Sequence, residues 1–205
     1  MPGEDVRDEP DRRSPLLSSR NQLKIASFSM NCRRGSTSTT AKGSIAELDW
    51  QQQVQIARAS EDAGLEAIIP IARWRGYPGP SNFQRGTYET VPWAAGLAAV
   101  TSRIAVFSTV HIPLVHPVRA AKELATIDHI SGGRFGLNIV CGWNTAEFGT
   151  FGHQQHSHDE RYAQGAEWTQ FLKALWRSKS EFDWNGTYYN ARSANQDRSR
   201  SARSS

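Results

Sequence analysis

Cysteine is scarce in this 205-residue sequence: Cys32 and Cys141 are the only two, and they lie far apart in the chain. Neither belongs to a CxxC or Cys/His arrangement, which argues against a disulfide framework or a structural zinc site and implies two reduced thiols. Long apolar runs are missing as well. A stretch such as Ala94 to Val100 is far shorter than the ~20 residues that cross a bilayer, and the first twenty residues are charged rather than apolar. With neither a membrane span nor a signal peptide expected, the default location is cytoplasmic.

A strong charge of one sign is also lacking in the body of the chain. The formal charge is +4, but residues 191–205 hold four Arg against one Asp, so residues 1–190 net only to +1. Basicity belongs to the tail, and no nucleic-acid partner is expected. No GxSxG elbow nominates a nucleophilic serine. Gly132, Gly133 and Gly136 precede a strand, the wrong order for a dinucleotide loop. His153, His156 and His158 fit no common zinc spacing, so no metal is expected.

What is present is 38% hydrophobic residues and seven Trp, enough for one core. Residues 1–22 mix nine charges with three prolines and read as a disordered leader. From Leu23 onward, strand and helix signals alternate. Strands are expected over 23–30, 66–71, 104–110 and 134–140. A Ser44/Glu47 capping box is expected to open the first helix, which ends at Gly64. Thr90 and Pro92 start the second, His116-Pro117 opens the third and Gly132-Gly133 ends it, and the fourth begins near Asp159 and carries Tyr162, Trp168, Leu172 and Leu175. Four β/α units in order imply an α/β fold with a parallel sheet, either doubly wound or half of a (β/α)8 barrel.

In such folds, reactive groups sit on loops leaving the C-terminal strand ends, here 31–44, 72–89, 111–116 and 141–158. Asn138 lies on the fourth strand, where its amide either binds neighbouring backbone or offers a donor and an acceptor to a planar heterocycle. Glu147 follows in the next loop, where a solvated charge is the simpler reading. Arg161 and Tyr162 fall in the first turn of the fourth helix, where the dipole favours an anion such as phosphate. The competing reading there is a surface Arg and a core Tyr.

The stretches AAGLAAVTSRIAV (94–106), AAKELATIDHISGGRFGLNIVCGWNTAEFGTFG (120–152) and HDERYAQGAEW (158–168) resemble the bacterial luciferase-like flavin-dependent monooxygenases. Within that family they are most similar to the branch of the pyrimidine, dimethylsulfone and alkanesulfonate oxygenases. The resemblance implies a (β/α)8 TIM barrel that takes reduced FMN (FMNH2) from a partner flavin reductase and uses O2 to oxygenate a small organic substrate, with C–S or amide bond cleavage. It also implies flavin contacts at Ala72, Arg73, Asn138, Glu147, Arg161 and Tyr162. Trp74, Tyr77, Phe83, Trp143 and Phe148 are then suited to exclude water, and His111 and His116 are candidates for substrate contact or proton transfer.

The similarity runs from Leu23 to Asn190, so the expected organisation is a leader (1–22), an incomplete luciferase-like domain (23–190) and an aberrant basic tail (191–205). An incomplete barrel would leave open strand edges, which homo-oligomer formation could cover. Two other readings stand beside the monooxygenase: a non-catalytic half-barrel that at most binds flavin, and a deazaflavin-dependent reductase.

Overall fold

The computed structural model describes residues 14–44 and 46–195. Its centre is a four-stranded parallel sheet in the order β1-β2-β3-β4, made of β1 (Ala26–Phe28), β2 (Ala67–Ile69), β3 (Ala105–His111) and β4 (Phe135–Val140). All three pairings are parallel. The first two strands are shorter than expected. Ser29 adopts a positive φ of 62° and turns the chain out of the sheet after Phe28, and Leu23 and Ile25, placed in a strand by their alternation, are exposed.

Parallel strands require long crossovers, and helices supply them. α2 (Trp50–Asp62) joins β1 to β2, α3 (Thr90–Val100) joins β2 to β3, and α4 (Pro117–Ser131) joins β3 to β4. A 3-10 turn, η1 (Ile112–Leu114), precedes α4. The expected ends of α4 are present. Pro117 sits in its first turn, and Gly132 closes it at φ 66°, a left-handed conformation natural to glycine. The expected start of α2 is corrected, because Asp49 is the cap and accepts from the amides of Gln51 and Gln52. Ser44 and Glu47 instead receive the side chains of Arg34 and Arg33.

Alternate residues of each strand face the helices or the opposite side. Ile68 and Val106 pack with Trp93, Leu97 and Ile127 in one core cluster, and Val110 packs with Leu124, Trp168 and Phe171 in the other. On the opposite face a Cβ at Gly136 would lie 2.4 Å from the Phe107 ring, so that position admits only glycine without a shift.

Beyond β4, a short helix α5 (Thr145–Thr150) appears in what the sequence pattern presents as loop, and α6 (His158–Arg177) follows, opened by a Ser157/Glu160 capping box. An antiparallel hairpin, β5 (Phe182–Asn185) with β6 (Asn190–Ala194), packs on α6, with Trp184 stacked on Phe171 at 4.7 Å between ring centroids. Glu167 of α6 holds the turn by accepting from the amides of Thr187, Tyr188 and Tyr189 at 2.9, 3.0 and 2.9 Å. The strand β6 crosses the expected boundary at residue 191 and buries Ala194, so residues 191–194 belong to the folded unit.

The leader is also partly structured. Pro15–Ser18 forms a helical turn, α1, and Asn21 donates to the Glu66 carboxylate at 2.6 Å. The rest of these two segments, residues 1–13 and 196–205, lies outside the described residues.

Candidate functional site

The site forms where β2, β3 and β4 end, because parallel strands place all their following loops on one side. At its centre Arg73, on the loop after β2, meets Glu147 of α5 at 3.1 Å. Their side chains are 6% and 3% exposed. The same carboxylate oxygen also accepts from the amides of Trp74 and Arg75 at 2.9 and 3.3 Å. A buried carboxylate is tolerable only with this degree of pairing, so the solvated-charge reading of Glu147 is set aside.

Arg73 is fixed from three further sides. Its Nε donates to Gln84 at 3.0 Å, and its guanidinium lies 5.4 Å from the ring centroids of Tyr77 and of Trp143. Tyr77 in turn stacks on Phe83 at 5.6 Å, and Trp74 meets Phe151 edge to face at 5.0 Å. Phe148 is buried against Gly142, leaving no room there for a side chain. All five expected water-excluding aromatics therefore surround the loops of the site.

On β4, Asn138 donates from its amide nitrogen to the Thr109 hydroxyl at 3.1 Å, and Thr109 donates to the Pro70 carbonyl at 2.5 Å. This tie satisfies one amide hydrogen and orients the group. Ala72 is buried beside Arg73, and both line a cavity of about 630 Å³ together with Thr109 and His111. Asn138 and Glu147 stand next to this cavity through Thr109 and Arg73 rather than lining it.

His111, the last residue of β3, is buried. Burial pushes its imidazole below the ordinary value, the Glu147 charge opposes this, and Arg73 adds to it. The folded protein therefore binds a proton at His111 less readily than the unfolded chain. The stability contributed by the neutral ring is complete above about pH 6.5 and is lost as pH falls toward the lower folded value. Urea unfolding at several pH values is expected to show the wild type losing stability on acidification faster than His111→Gln, with parallel behaviour above neutrality.

Two expected residues sit elsewhere. His116 caps α4, with Nδ1 accepting from the Val118 amide at 3.3 Å and its ring packed edge-on against Phe171 and Tyr189. Those contacts make it a helix cap away from the cavity rather than a group facing it. Tyr162 is 58% exposed, with its ring tilted against that of His158, so it is not a core residue.

Arg161 turns back from α6 to the Gly142 carbonyl, and its buried Nε has no hydrogen-bond partner among the described residues. The first turn of α6 already carries Asp159 and Glu160 and its own capping box. The Glu160 amide is thus already capped, and two carboxylates already occupy the positive end of the helix. The residues that the pattern missed are Thr109, Gln84 and Asn31. Asn31 bridges two loops by donating to the Ile71 and Tyr88 carbonyls and accepting from the Ile71 amide. Thr109 was legible in the strand alternation, on the same face as His111.

The family model for luciferase-like monooxygenases matches residues 23–203. The chain belongs to the luciferase-like monooxygenase family. It is 39% identical over 137 residues to the pyrimidine monooxygenase RutA of Bradyrhizobium sp. strain BTAi1, covering 66% of this chain and 38% of that one. It is 38% identical over 138 residues to the RutA of Pseudomonas syringae pv. syringae, with the same two coverages. The chain thus spans well under half the length of these luciferase-like relatives.

Among solved structures, an EDTA monooxygenase from Chelativorans sp. BNC1 superposes with a TM-score of 0.75 at 17% identity, covering 84% of this chain and 45% of that one. A riboflavin lyase, solved with modified FMN and riboflavin, superposes with a TM-score of 0.74 at 21% identity, covering 86% and 47%. At these identities the likeness concerns the fold. The four β/α units correspond to half of a luciferase-like barrel, and the family is one of flavin-dependent monooxygenases. Among the described residues, no helix is long and apolar enough to cross a membrane.

Proposed function

We propose that this chain binds FMN at the C-terminal ends of β2, β3 and β4, as the cofactor-contacting half of a monooxygenase. The reaction is oxygenation of a small organic substrate by reduced FMN and O2, with C–S or amide and heterocycle cleavage as its class, and a separate flavin reductase supplies the reduced cofactor. The observation that carries this reading is the buried Arg73–Glu147 pair, held beside Asn138 and His111 at the mouth of three parallel strands. Such an investment of buried charge on loops is uncommon for stability alone.

The residues present fit a flavin. Asn138 keeps an amide oxygen and one hydrogen for the polar edge of a heterocycle after its bond to Thr109, and the orphaned Nε of Arg161 suits an anionic oxygen. When bound, the flavin supplies the activation of O2. The chain's own side chains do the rest. Glu147 holds Arg73 and the backbone of Trp74 in place, and Trp74 with Phe151 shields the cavity from water. His111, kept neutral by burial, is able to accept a proton from a group in the cavity.

Titration with FMN, and anaerobically with FMNH2, tests this reading, with a reduced deazaflavin as the competing cofactor. Asn138→Ala is expected to weaken FMNH2 binding by about tenfold, the loss of roughly one good hydrogen bond. A folded variant of unchanged affinity, or a preference for the deazaflavin, overturns the assignment. A second reading, flavin binding without turnover, is favoured by one observation: among the described residues β4 has a partner on one side only, and Ile139 and Phe28 of the two outer strands are exposed. Substrate-dependent O2 uptake by the flavin-loaded chain decides between them.

A further inference from the structure

Near their C-terminal ends, β2, β3 and β4 are joined by a chain of hydrogen bonds whose direction is fixed by the groups in it. Thr109 of β3 is 5% exposed, and its hydroxyl lies 2.5 Å from the carbonyl oxygen of Pro70, the residue that follows β2. A carbonyl oxygen only accepts, so the single hydroxyl hydrogen of Thr109 is used there. The Thr109 oxygen is left with lone pairs alone, and the Asn138 amide of β4 stands 3.1 Å from it. Only the nitrogen of that amide can meet those lone pairs. With the amide turned over, two oxygens would face each other with no proton between them.

The consequence lies at the other end of the amide. Thr109 and Asn138 are register partners on adjacent strands, and His111 stands two residues further along β3, so the three side chains share one face of the sheet. With its nitrogen held by Thr109, Asn138 keeps its oxygen free, and no donor reaches that oxygen among the described residues. The oxygen is not one of the buried polar atoms that lack a partner, so it is open to a ligand.

Turning an Asn amide over exchanges an acceptor for a donor with almost no change of shape. The Pro70 carbonyl, acting through Thr109, therefore decides which of the two the site presents. We propose that Thr109 is a positioning residue of the flavin site: it holds the Asn138 oxygen toward the cofactor, where it accepts from an N–H of the flavin ring. This role rests on the flavin reading above. It requires the matching edge of the ligand to donate, as the N–H of a dione ring does, because a purely accepting edge would leave the Asn138 oxygen without a hydrogen.

Anaerobic titration of the 205-residue protein with FMNH2 tests the role through a double-mutant cycle over the two positions. Thr109→Val removes the hydroxyl at nearly constant shape and is expected to weaken binding by about tenfold, as Asn138→Ala does. Thr109→Ser keeps the hydroxyl and is expected to bind within about twofold of the wild type. The double variant Thr109→Val/Asn138→Ala is expected to lose about tenfold in all rather than about a hundredfold, since a residue that acts through Asn138 has nothing to position once that amide is gone. Thr109→Ala takes the place of Thr109→Val in the cycle should the latter fail to fold. Unchanged affinity in the folded Thr109 variant, additive losses, or a Thr109→Ser protein as weak as Thr109→Val overturns the role while leaving the flavin site in place. Failure of the wild type to bind FMNH2 overturns the flavin reading and this role together.

Discussion

Glu147→Ala is expected to destabilise the protein by about 3–5 kcal/mol, the cost of leaving a buried charge without its partner. The structure explains why the effect is large. The Glu147 carboxylate accepts from the buried Arg73 guanidinium and from the amides of Trp74 and Arg75, so three donors lose their acceptor at once. Urea unfolding of the purified variant measures the loss. The double variant Arg73→Met/Glu147→Leu separates stability from function. Replacing both charges by apolar side chains of similar size is expected to restore most of the stability, while flavin binding stays lost. If the double variant bound FMN as the wild type does, the pair would be a structural staple and the proposed site would lie elsewhere. If the single variant cost less than about 1 kcal/mol, the pair would behave as exposed ones do.

The second large effect is expected at Trp168→Ala, about 3–5 kcal/mol by the measure of large aromatic truncations in cores. Trp168 is fully buried, packs with Val110, Leu124 and Phe171, and donates from its indole to the Val115 carbonyl at 2.8 Å. It thereby locks α6 onto the segment that leads from β3 into α4. Trp168→Phe keeps most of the packing and loses the hydrogen bond, so a cost of about 1–2 kcal/mol is expected. Thermal or denaturant unfolding checks both. A further consequence reaches the site, because α6 carries Arg161, whose guanidinium ties the helix to the Gly142 carbonyl after β4. Flavin affinity is therefore expected to fall in Trp168→Ala even where the variant remains folded, and to be retained in Trp168→Phe.

These two positions differ in how far they were legible in the sequence. Trp168 was readable as core from its spacing with Leu172 and Leu175, because an apolar stripe at helical period is a local property. Glu147 was readable only as a loop carboxylate near a functional strand end. Its partner is 74 residues away, and no local pattern records that two loops close on each other. The same contrast holds at helix ends. Pro117 and Gly132 act through their own backbone dihedrals, and both stand where expected. Ser44 and Glu47 had the spacing of a capping box, yet Asp49 won the position and the long-range side chains of Arg34 and Arg33 took the other two.

By itself, then, the sequence determined the alternation of strands and helices, the parallel sheet that such alternation enforces, and the side of that sheet on which chemistry can collect. It also carried the family, whose model spans most of the chain. The tertiary structure alone decided which candidates share a site. It joined Arg73, Glu147, His111 and Asn138 through Thr109 and removed His116 to a helix cap. It turned Tyr162 outward and drew residues 191–194 into a hairpin. The physical reason is range. Periodicity and capping act within a turn or two of chain, whereas a buried charge is stabilised by groups that only the folded chain brings within a few ångströms.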